Sequence, residues 1–181
     1  MESLKGQLLV ASADLHDPNF HRTVVLVTEH AEDGALGVVL NRPAEATVVQ
    51  AVPGLAPLVT DDSPVYVGGP VDQESLIVLA EFEDPDDAAA IVFDDVGFVP
   101  GDADIELTAA ALRRARVYAG YAGWAAGQLE AELEAEGWIV EPARPEDVFG
   151  ADPFALWKRV LSRKGGPYAF LATIPPDPSL N

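Results

Sequence analysis

Two apolar runs separated by a short turn constrain the fold more than any other feature of the sequence. Residues 22–30 (RTVVLVTEH) and 35–42 (ALGVVLNR) are rich in Val and Leu, and residues 31–34 between them end in Asp-Gly. β-Branched apolar runs favour strands, and Asp-Gly favours a tight turn. The sequence therefore predicts an antiparallel hairpin that Pro43 ends, because proline cannot donate a hydrogen bond to a central ladder.

The other predicted elements favour an α+β fold. Strands are predicted at residues 4–13, 65–67, 75–81, 115–121, 138–140 and 169–173, and helices at 108–114, 125–136 and from an N-cap at Asp152 to Gly165. Residues 44–63 and the tail 175–181 are predicted to be irregular or extended. The strands follow one another in groups rather than alternating with helices, which favours a mostly antiparallel sheet with a few flanking helices. No repeat or linker interrupts the chain, so residues 1–181 are expected to form a single domain.

The charge of the chain excludes one broad class of partner. The 181 residues carry a formal net charge of −19, and residues 61–110 hold 14 acidic and no basic side chains. A nonspecific binder of nucleic acid or anionic lipid must neutralise phosphates with Lys and Arg, so nucleic acid is not expected as a partner. The acidic stretch itself is interpreted as a solvated surface, with a divalent-cation site or a docking face for a basic partner as the alternative.

Cofactor and membrane signals are lacking. The chain has no cysteine, and no apolar run approaches the roughly 20 residues of a membrane span. His16, His21 and His30 lie near Asp14 and Asp17, but their spacing gives two metal ligands at most, so no metal and no cofactor are predicted. The N-terminal residues lack the basic start and long apolar region of a secretory signal, and a cytoplasmic protein without membrane contact is expected.

Motifs for common chemistries are also lacking. The sequence contains no G-x-S-x-G elbow, no G-x-x-x-x-G-K-[ST] loop and no G-x-G-x-x-G loop. Gly68-Gly69 follows a predicted strand and either exposes amides to an anion or forms a sharp turn.

The arginines of the hairpin are the best candidate binding residues. If the chain turns at 31–34, Arg22 lies near Arg42 at the open end of the hairpin, with Asn41 adjacent. Two guanidiniums could clamp a phosphate or carboxylate, or each could bind Asp14, Asp17 or a free carbonyl at the strand ends.

A second basic group consists of Arg113, Arg114 and Arg116. Three arginines make a small footprint for nucleic acid, and no recognition helix accompanies them. We expect them to pair with acidic residues of 61–110 or of the 125–136 helix.

Several motifs together resemble the YqgE/AlgH family. They are residues 8–11 (LLVA), 17–20 (DPNF), 22–25 (RTVV), 29–30 (EH), 34–37 (GALG), 39–43 (VLNRP), 65–71 (VYVGGPV), 120–130 (GYAGWAAGQLE), 156–157 (LW) and 177–181 (DPSLN). The resemblance runs from about residue 4 to the C-terminus. Ala13 departs from it, since the family usually has proline there. Among the histidines only His30 falls on a motif position.

The resemblance implies a fold more than an activity. It implies a complex α+β arrangement whose bifurcated sheet closes into a pseudo-barrel. Some bacterial members carry a transcriptional-regulator label, but the family has no assigned catalytic residues, so none is carried over. The residues of this chain do not support direct DNA binding.

The sequence thus favours a non-enzymatic cytosolic binding or regulatory protein whose partner is a small anion or another protein. Its predicted surface comprises Arg22, Asn41, Arg42, Gly68 and Gly69. The motif residues Tyr121, Trp124 and Gln128 either join that surface or pack in the core.

The alternative is a small hydrolase or transferase acting on an anionic metabolite such as a nucleotide, with His30 or Asp17 as base and the arginines as clamp. A third hypothesis, direct regulation of transcription on DNA, is disfavoured. The sequence does not specify an oligomeric state.

Overall fold

The computed structural model describes residues 2–174 of the chain. Within that range ten β-strands and six short α-helices form, together with three short 3-10 segments, 53–58, 85–87 and 153–155. The strands are β1 (Gln7–Ala11), β2 (Val24–Ala31), β3 (Gly34–Val39), β4 (Pro43–Thr47), β5 (Pro64–Val67), β6 (Val71–Phe82), β7 (Ala90–Phe93), β8 (Val96–Phe98), β9 (Leu112–Ala125) and β10 (Trp138–Pro142). The helices are α1 (Val48–Ala51), α2 (Ile105–Ala111), α3 (Gln128–Glu134), α4 (Pro145–Phe149), α5 (Leu156–Lys164) and α6 (Pro167–Leu171). None of these helices is long and apolar enough to cross a membrane.

The strands form one large sheet that branches at β9. The main path runs β10-β1-β2-β3-β9-β6-β8-β7, and every neighbour along it is antiparallel. β9 also pairs in parallel with β5 through Tyr66 and Tyr118, and β5 pairs with β4. The predicted α+β class with a mostly antiparallel sheet and flanking helices is therefore confirmed.

The sheet is not closed into a barrel by the pairing among the described residues. β10 and β7 are the two ends of the path. A Cβ placed on Gly6, just before β1, would lie 3.1 Å from the carbonyl oxygen of Val92, so β7 approaches the start of β1, the neighbour of β10, without a strand pairing between them in the described residues. The pseudo-barrel that the resemblance implies is not confirmed.

The predicted hairpin is confirmed as β2 and β3. Val25 pairs with Val39, and His30 pairs with Ala35. The register shifts between Val27 and Glu29, where an irregularity adds a residue to β2. Arg22 thus precedes β2 and Arg42 follows β3, so both lie at the open end of the hairpin, as the sequence predicts.

Apolar residues cover both faces of the first strands. Along β1 and β2, alternate side chains enter two separate clusters, so that Leu8 and Leu26 lie in one and Leu9 and Val25 in the other. Residues of helices α4 and α5 cover the first cluster, whereas α3, Trp124 and Trp138 cover the second. Burial on both faces explains why these strands are nearly continuous runs of apolar residues.

The C-terminal helix prediction is confirmed, but the element after it is not the predicted strand. Asp152 caps the 3-10 turn 153–155 that leads into α5, its Oδ1 accepting from the Ala155 N–H at 3.3 Å, so α5 itself begins later than predicted, at Leu156. Gly165 ends α5 as predicted. Residues 167–171 form helix α6 instead of a strand. The reason is Pro167, whose fixed φ suits the first turn of a helix and whose missing N–H is not needed there. The predicted tail 175–181 lies outside the described residues.

Other elements also differ from the predictions. The helix predicted at 108–114 is α2, which begins earlier because Asp104 caps it. It ends before the arginines at 113, 114 and 116, which belong to β9. Residues 44–63 are more regular than predicted, with β4, α1 and a 3-10 segment, and Pro43 begins β4 as a first residue that needs no N–H in the ladder. Strands β7 and β8 and helix α4 are short and were not predicted.

Candidate functional site

Arg42 holds the loop that precedes the hairpin. Its Nη1 donates to the carbonyl of Asn19 at 2.7 Å, and its Nη2 donates to the carbonyl of His21 at 3.1 Å. Burial lowers the pKa of Arg42, and the nearby charge of Asp17 partly offsets that effect. The guanidinium stays protonated, because the ordinary pKa of arginine lies far above physiological pH. Arg42 therefore binds free carbonyls at the strand end, one of the two alternatives that the sequence left open.

Arg22 is also held by internal contacts. Its backbone is left-handed, with φ of 55°, which is uncommon for a residue with a Cβ. Its guanidinium lies 4.2 Å from the centre of the Trp157 ring and donates to the carbonyl of Ile174. Its Nε is buried with no hydrogen-bond partner among the described residues, and burial lowers the pKa of the group.

Asn41 completes the end of the hairpin. Its Oδ1 accepts from the Val24 N–H at 3.0 Å, and its Nδ2 donates to the Arg22 carbonyl at 2.9 Å. The amide side chain thus takes the place of two ladder bonds where β3 ends. Arg22, Asn41 and Arg42 are brought together as predicted, around the backbone of residues 17–22.

Gly68 and Gly69 lie where β5 ends against β9. The Gly68 N–H donates to the carbonyl of Ala119 at 2.8 Å, and its carbonyl accepts from Val39 at 2.8 Å. A Cβ on Gly68 would lie 2.3 Å from the carbonyl oxygen of Gly120. The glycine is therefore required by a close approach of two backbones, and its amide is engaged inside the sheet.

His30 lies at the opposite end of β2 from Arg22. The distance along the extended strand is about 26 Å at roughly 3.3 Å per residue. Its Nδ1 accepts from the Leu4 N–H at 3.0 Å, and its Nε2 lies 2.6 Å from Oε1 of Glu130. Because Nδ1 accepts, Nε2 carries the proton of a neutral imidazole and donates it to Glu130. This hydrogen bond lowers the pKa of Glu130.

The two other histidines lie in the loop before β2. The rings of His16 and His21 stack with their centroids 6.0 Å apart, and His21 Nδ1 lies 3.1 Å from the carbonyl of Leu15. Asp17 accepts from the Asn19 N–H at 2.8 Å in the adjoining turn. Among residues 2–174 no group of three or more His, Asp or Glu side chains is arranged to hold a metal ion.

Trp124 of the 120–130 motif packs in the interior, whereas Tyr121 is half-buried. Trp124 stacks on Phe20 and meets Trp138 edge-on, with ring centroids 6.3 Å and 6.1 Å apart. Gln128 accepts from the Ala125 N–H at 3.0 Å and so orders the start of α3. For Trp124 the predicted alternative of core packing is the one observed.

An open groove of about 840 Å³ runs beside the first half of β9. β9 supplies one side through residues 113–116, and β4 with residues 58–64 supplies the opposite side. The segment from Phe149 to Phe154 forms the third side. The groove thus lies next to the hairpin base, but it is built from a different set of side chains.

Two arginines of the groove pair with acidic residues as predicted. Arg114 contacts Glu81 at 3.1 Å and Glu146 at 2.6 Å, and its guanidinium lies 5.0 Å from the centre of the Phe149 ring. Arg113 pairs with Asp95 at 3.3 Å. Glu81 and Asp95 both belong to the acidic stretch 61–110, so that part of the predicted pairing is confirmed.

Arg116 has a different environment. It donates to the carbonyls of Val148 at 2.6 Å and Gly150 at 2.5 Å, and it lies 4.8 Å from the centre of the Tyr66 ring. Within residues 2–174 no carboxylate forms an ion pair with it. Burial raises the pKa of Tyr66, and the charge of Arg116 partly offsets this. The positive charge of Arg116 is therefore held in a fixed position, and only the carbonyl dipoles of Val148 and Gly150 and the Tyr66 ring compensate it.

The other sides of the groove carry oxygen acceptors and an exposed ring. Glu45 and Asp62 line the side opposite β9, and Thr60 donates to Asp62 at 2.8 Å. Phe154 lies at the edge with 78% of its surface exposed. Sequence reasoning did not single out this groove, because its sides are far apart in the chain. The one available signal was the run of three arginines next to the acidic stretch.

The chain matches a known family over most of its length. The sequence profile described as AlgH-like (DUF179) matches residues 8–169. The chain belongs to the AlgH-like family. AlgH-like relatives described as UPF0301 proteins include one from Thermobifida fusca, 46% identical over 99% of this chain and 96% of its own length, and one from Streptomyces avermitilis, 44% identical over 100% and 97%.

Two solved structures share the fold. A crystal structure of a Corynebacterium diphtheriae protein has a TM-score of 0.87 at 31% identity and covers 96% of this chain and 94% of its own. The solution structure of AlgH from Pseudomonas aeruginosa has a TM-score of 0.73 at 29% identity and covers 96% and 95%. The family predicted from the motifs is therefore confirmed.

Proposed function

We propose that this chain is a cytoplasmic, non-enzymatic binding protein and that the groove beside β9 takes an anionic ligand. The observation that carries the proposal is the position of Arg113 and Arg116 on one side of an open concavity in a chain of net charge −19. Arg116 has no carboxylate partner in the described part of the chain. An anion in the groove would supply the missing opposite charge.

Arg113 is available to such a ligand. Its ion pair with Asp95 joins side chains that are 48% and 43% exposed. Ion pairs between exposed side chains contribute about 0–1 kcal/mol, so a ligand anion can replace Asp95 at little loss. Arg113 therefore acts as the mobile contact of the site and Arg116 as the fixed one.

The availability of Arg113 favours the groove over the hairpin base as the binding surface. At the hairpin base both guanidiniums, those of Arg22 and Arg42, donate to backbone carbonyls, whereas Arg113 is held by an ion pair between exposed side chains. The Gly68 amide is likewise engaged, since it donates to Ala119. A ligand there would have to compete with contacts that hold the loop 17–22. Anion binding by the hairpin base stays a prediction, and the experiment below distinguishes the two surfaces.

An enzymatic role for His30 has less support. The hydrolase or transferase hypothesis needs His30 beside Arg22 and Arg42, and β2 separates them. Both ring nitrogens of His30 are also engaged, by Leu4 and by Glu130. A regulatory role exerted directly on DNA has less support too, because Arg114 is paired with two carboxylates and the net charge of −19 repels the phosphates of DNA.

Isothermal titration calorimetry with inorganic pyrophosphate tests the proposal. We expect binding to the unmodified chain and about tenfold weaker binding to Arg113→Gln, which loses one charge-assisted contact. The matched variants Arg42→Gln, at the hairpin base, and Lys158→Gln, on an exposed position of α5, should bind as the unmodified chain does. Undetectable binding, or a loss confined to Arg42→Gln, contradicts the groove as the site.

A further inference from the structure

We propose that the anionic ligand of the groove is a nucleotide, an inference that rests on the function proposed above. The groove combines three kinds of surface: a cationic side, a side with carboxylate and hydroxyl oxygens, and an exposed aromatic ring. A nucleotide carries the three complementary groups, namely phosphate, ribose hydroxyls and a flat base.

Phe154 provides the surface for the base. It lies in the 3-10 turn of residues 153–155, which Pro153 and the Asp152 cap hold in place. With 78% of its surface exposed, the ring makes few contacts with the protein, although it lines the groove. Bases stack on such rings with a gain that does not depend on their hydrogen-bonding pattern.

Arg113 and Arg116 provide the contacts for the phosphate. Both belong to β9 and line the same groove. Guanidiniums match phosphate oxygens in geometry as well as in charge. Because Arg116 is held by two carbonyls, its position is set before the ligand arrives.

Glu45 and Asp62 indicate why inorganic phosphate alone is not the best ligand. Both carboxylates line the side opposite β9 and would repel a bare anion. The same oxygens accept hydrogen bonds from the hydroxyls of a ribose, as acidic residues do in dinucleotide sites. The groove volume of about 840 Å³ falls in the range of small-molecule sites.

Calorimetric titration with AMP, ribose 5-phosphate and pyrophosphate tests the inference. We expect AMP to bind about tenfold more tightly than ribose 5-phosphate, which carries the same single phosphate but lacks the base. Phe154→Ala and Phe154→Leu should both abolish that difference and leave ribose 5-phosphate binding unchanged, because neither side chain offers a ring. Phe170→Ala, which removes a ring that is 73% exposed on α6, is the matched control and should bind as the unmodified chain does. Thermal melting confirms that each variant is folded.

The outcomes separate the two proposals. If ribose 5-phosphate or pyrophosphate binds at Arg113 but AMP binds no more tightly than ribose 5-phosphate, the nucleotide inference is wrong and the anion groove stands. If the preference for AMP over ribose 5-phosphate survives in folded Phe154→Ala and Phe154→Leu, the assignment of the base to Phe154 is overturned. If none of the three compounds binds, both proposals fail.

Discussion

Asn41 shows how a single side chain ends the hairpin. Its side-chain Oδ1 accepts from the Val24 N–H, and its Nδ2 donates to the Arg22 carbonyl. The Val24 N–H has no access to water, because Val24 is fully buried. Sequence reasoning placed Arg22, Asn41 and Arg42 together correctly, because the turn fixes which residues face each other. It could not choose their partners, since the carbonyls of Asn19 and His21 depend on how the loop 17–22 folds.

Replacing Asn41 by alanine should lower the free energy of unfolding by about 2 kcal/mol, because a buried donor and an acceptor lose their partners. Urea unfolding of Asn41→Ala measures the change. Asn19→Ala, an exposed asparagine in the adjoining loop, is the control and should stay within about 0.5 kcal/mol of the unmodified chain. Equal stability of the two variants would contradict this account of Asn41.

The bond from His30 to Glu130 makes stability depend on pH. The bond lowers the pKa of Glu130 in the folded chain, so Glu130 stabilises the fold at pH values above its unfolded pKa, about 4.3. This contribution is lost as the pH falls through the lowered folded value. Glu130→Gln should therefore reduce the loss of stability below about pH 4.3, measured by urea unfolding at several pH values. Glu134→Gln, on the same helix, is the control, and an identical effect of both variants would contradict the role of His30.

At the scale of elements, predictions succeeded where the local sequence decides the conformation. The hairpin β2–β3 follows from β-branched runs and an Asp-Gly turn. Helix α5 follows from Asp152, which caps the 3-10 turn leading into it, and from Gly165, which ends it. Residues 169–173 were misassigned, because a short apolar run fits a strand or a helix and the packing of α6 against α5 decides. β7 and β8 are too short to produce a clear periodic signal, and their pairing with β6 forms them.

The close pairing of β5 with β9 depends on Gly68. Gly68→Ala should destabilise the fold by about 3 kcal/mol, because the new Cβ would lie 2.3 Å from a backbone oxygen and the strands must move apart. Gly54→Ala is the matched control, since a Cβ there meets nothing within 4 Å, and it should be neutral or slightly stabilising. Thermal and urea unfolding measure both variants. A tolerated Gly68→Ala would show that the backbones at Gly68 and Gly120 do not approach each other closely.

At the scale of the whole molecule, β9 brings together parts of the chain that are far apart in the sequence and that no local sequence pattern links. It pairs with β3, β5 and β6, and its first half forms one side of the groove. The other sides come from residues 43–64 and 149–154, so the groove exists only once the sheet is assembled. For this reason sequence reasoning identified Arg113, Arg114 and Arg116 but not the site they line.

The charge of the whole molecule should make its stability depend on salt. Residues 61–110 hold 14 acidic side chains and no basic one, and mutual repulsion among them destabilises the compact state. Screening by NaCl, raised from about 0.01 M to 0.15 M, should increase the melting temperature by about 3 °C, equivalent to about 1 kcal/mol. Differential scanning calorimetry measures this shift. An unchanged or lower melting temperature would show that the acidic side chains do not repel one another appreciably.

The central claim is that the groove beside β9, rather than the hairpin base, receives the anion. A titration of the ¹⁵N-labelled chain with pyrophosphate, followed by amide chemical shifts, tests it most directly. We predict shifts concentrated at residues 113–116 and 149–154, with residues 17–22 and 41–42 unchanged. Shifts confined to 17–22 and 41–42, or no shifts at any amide, would contradict the account.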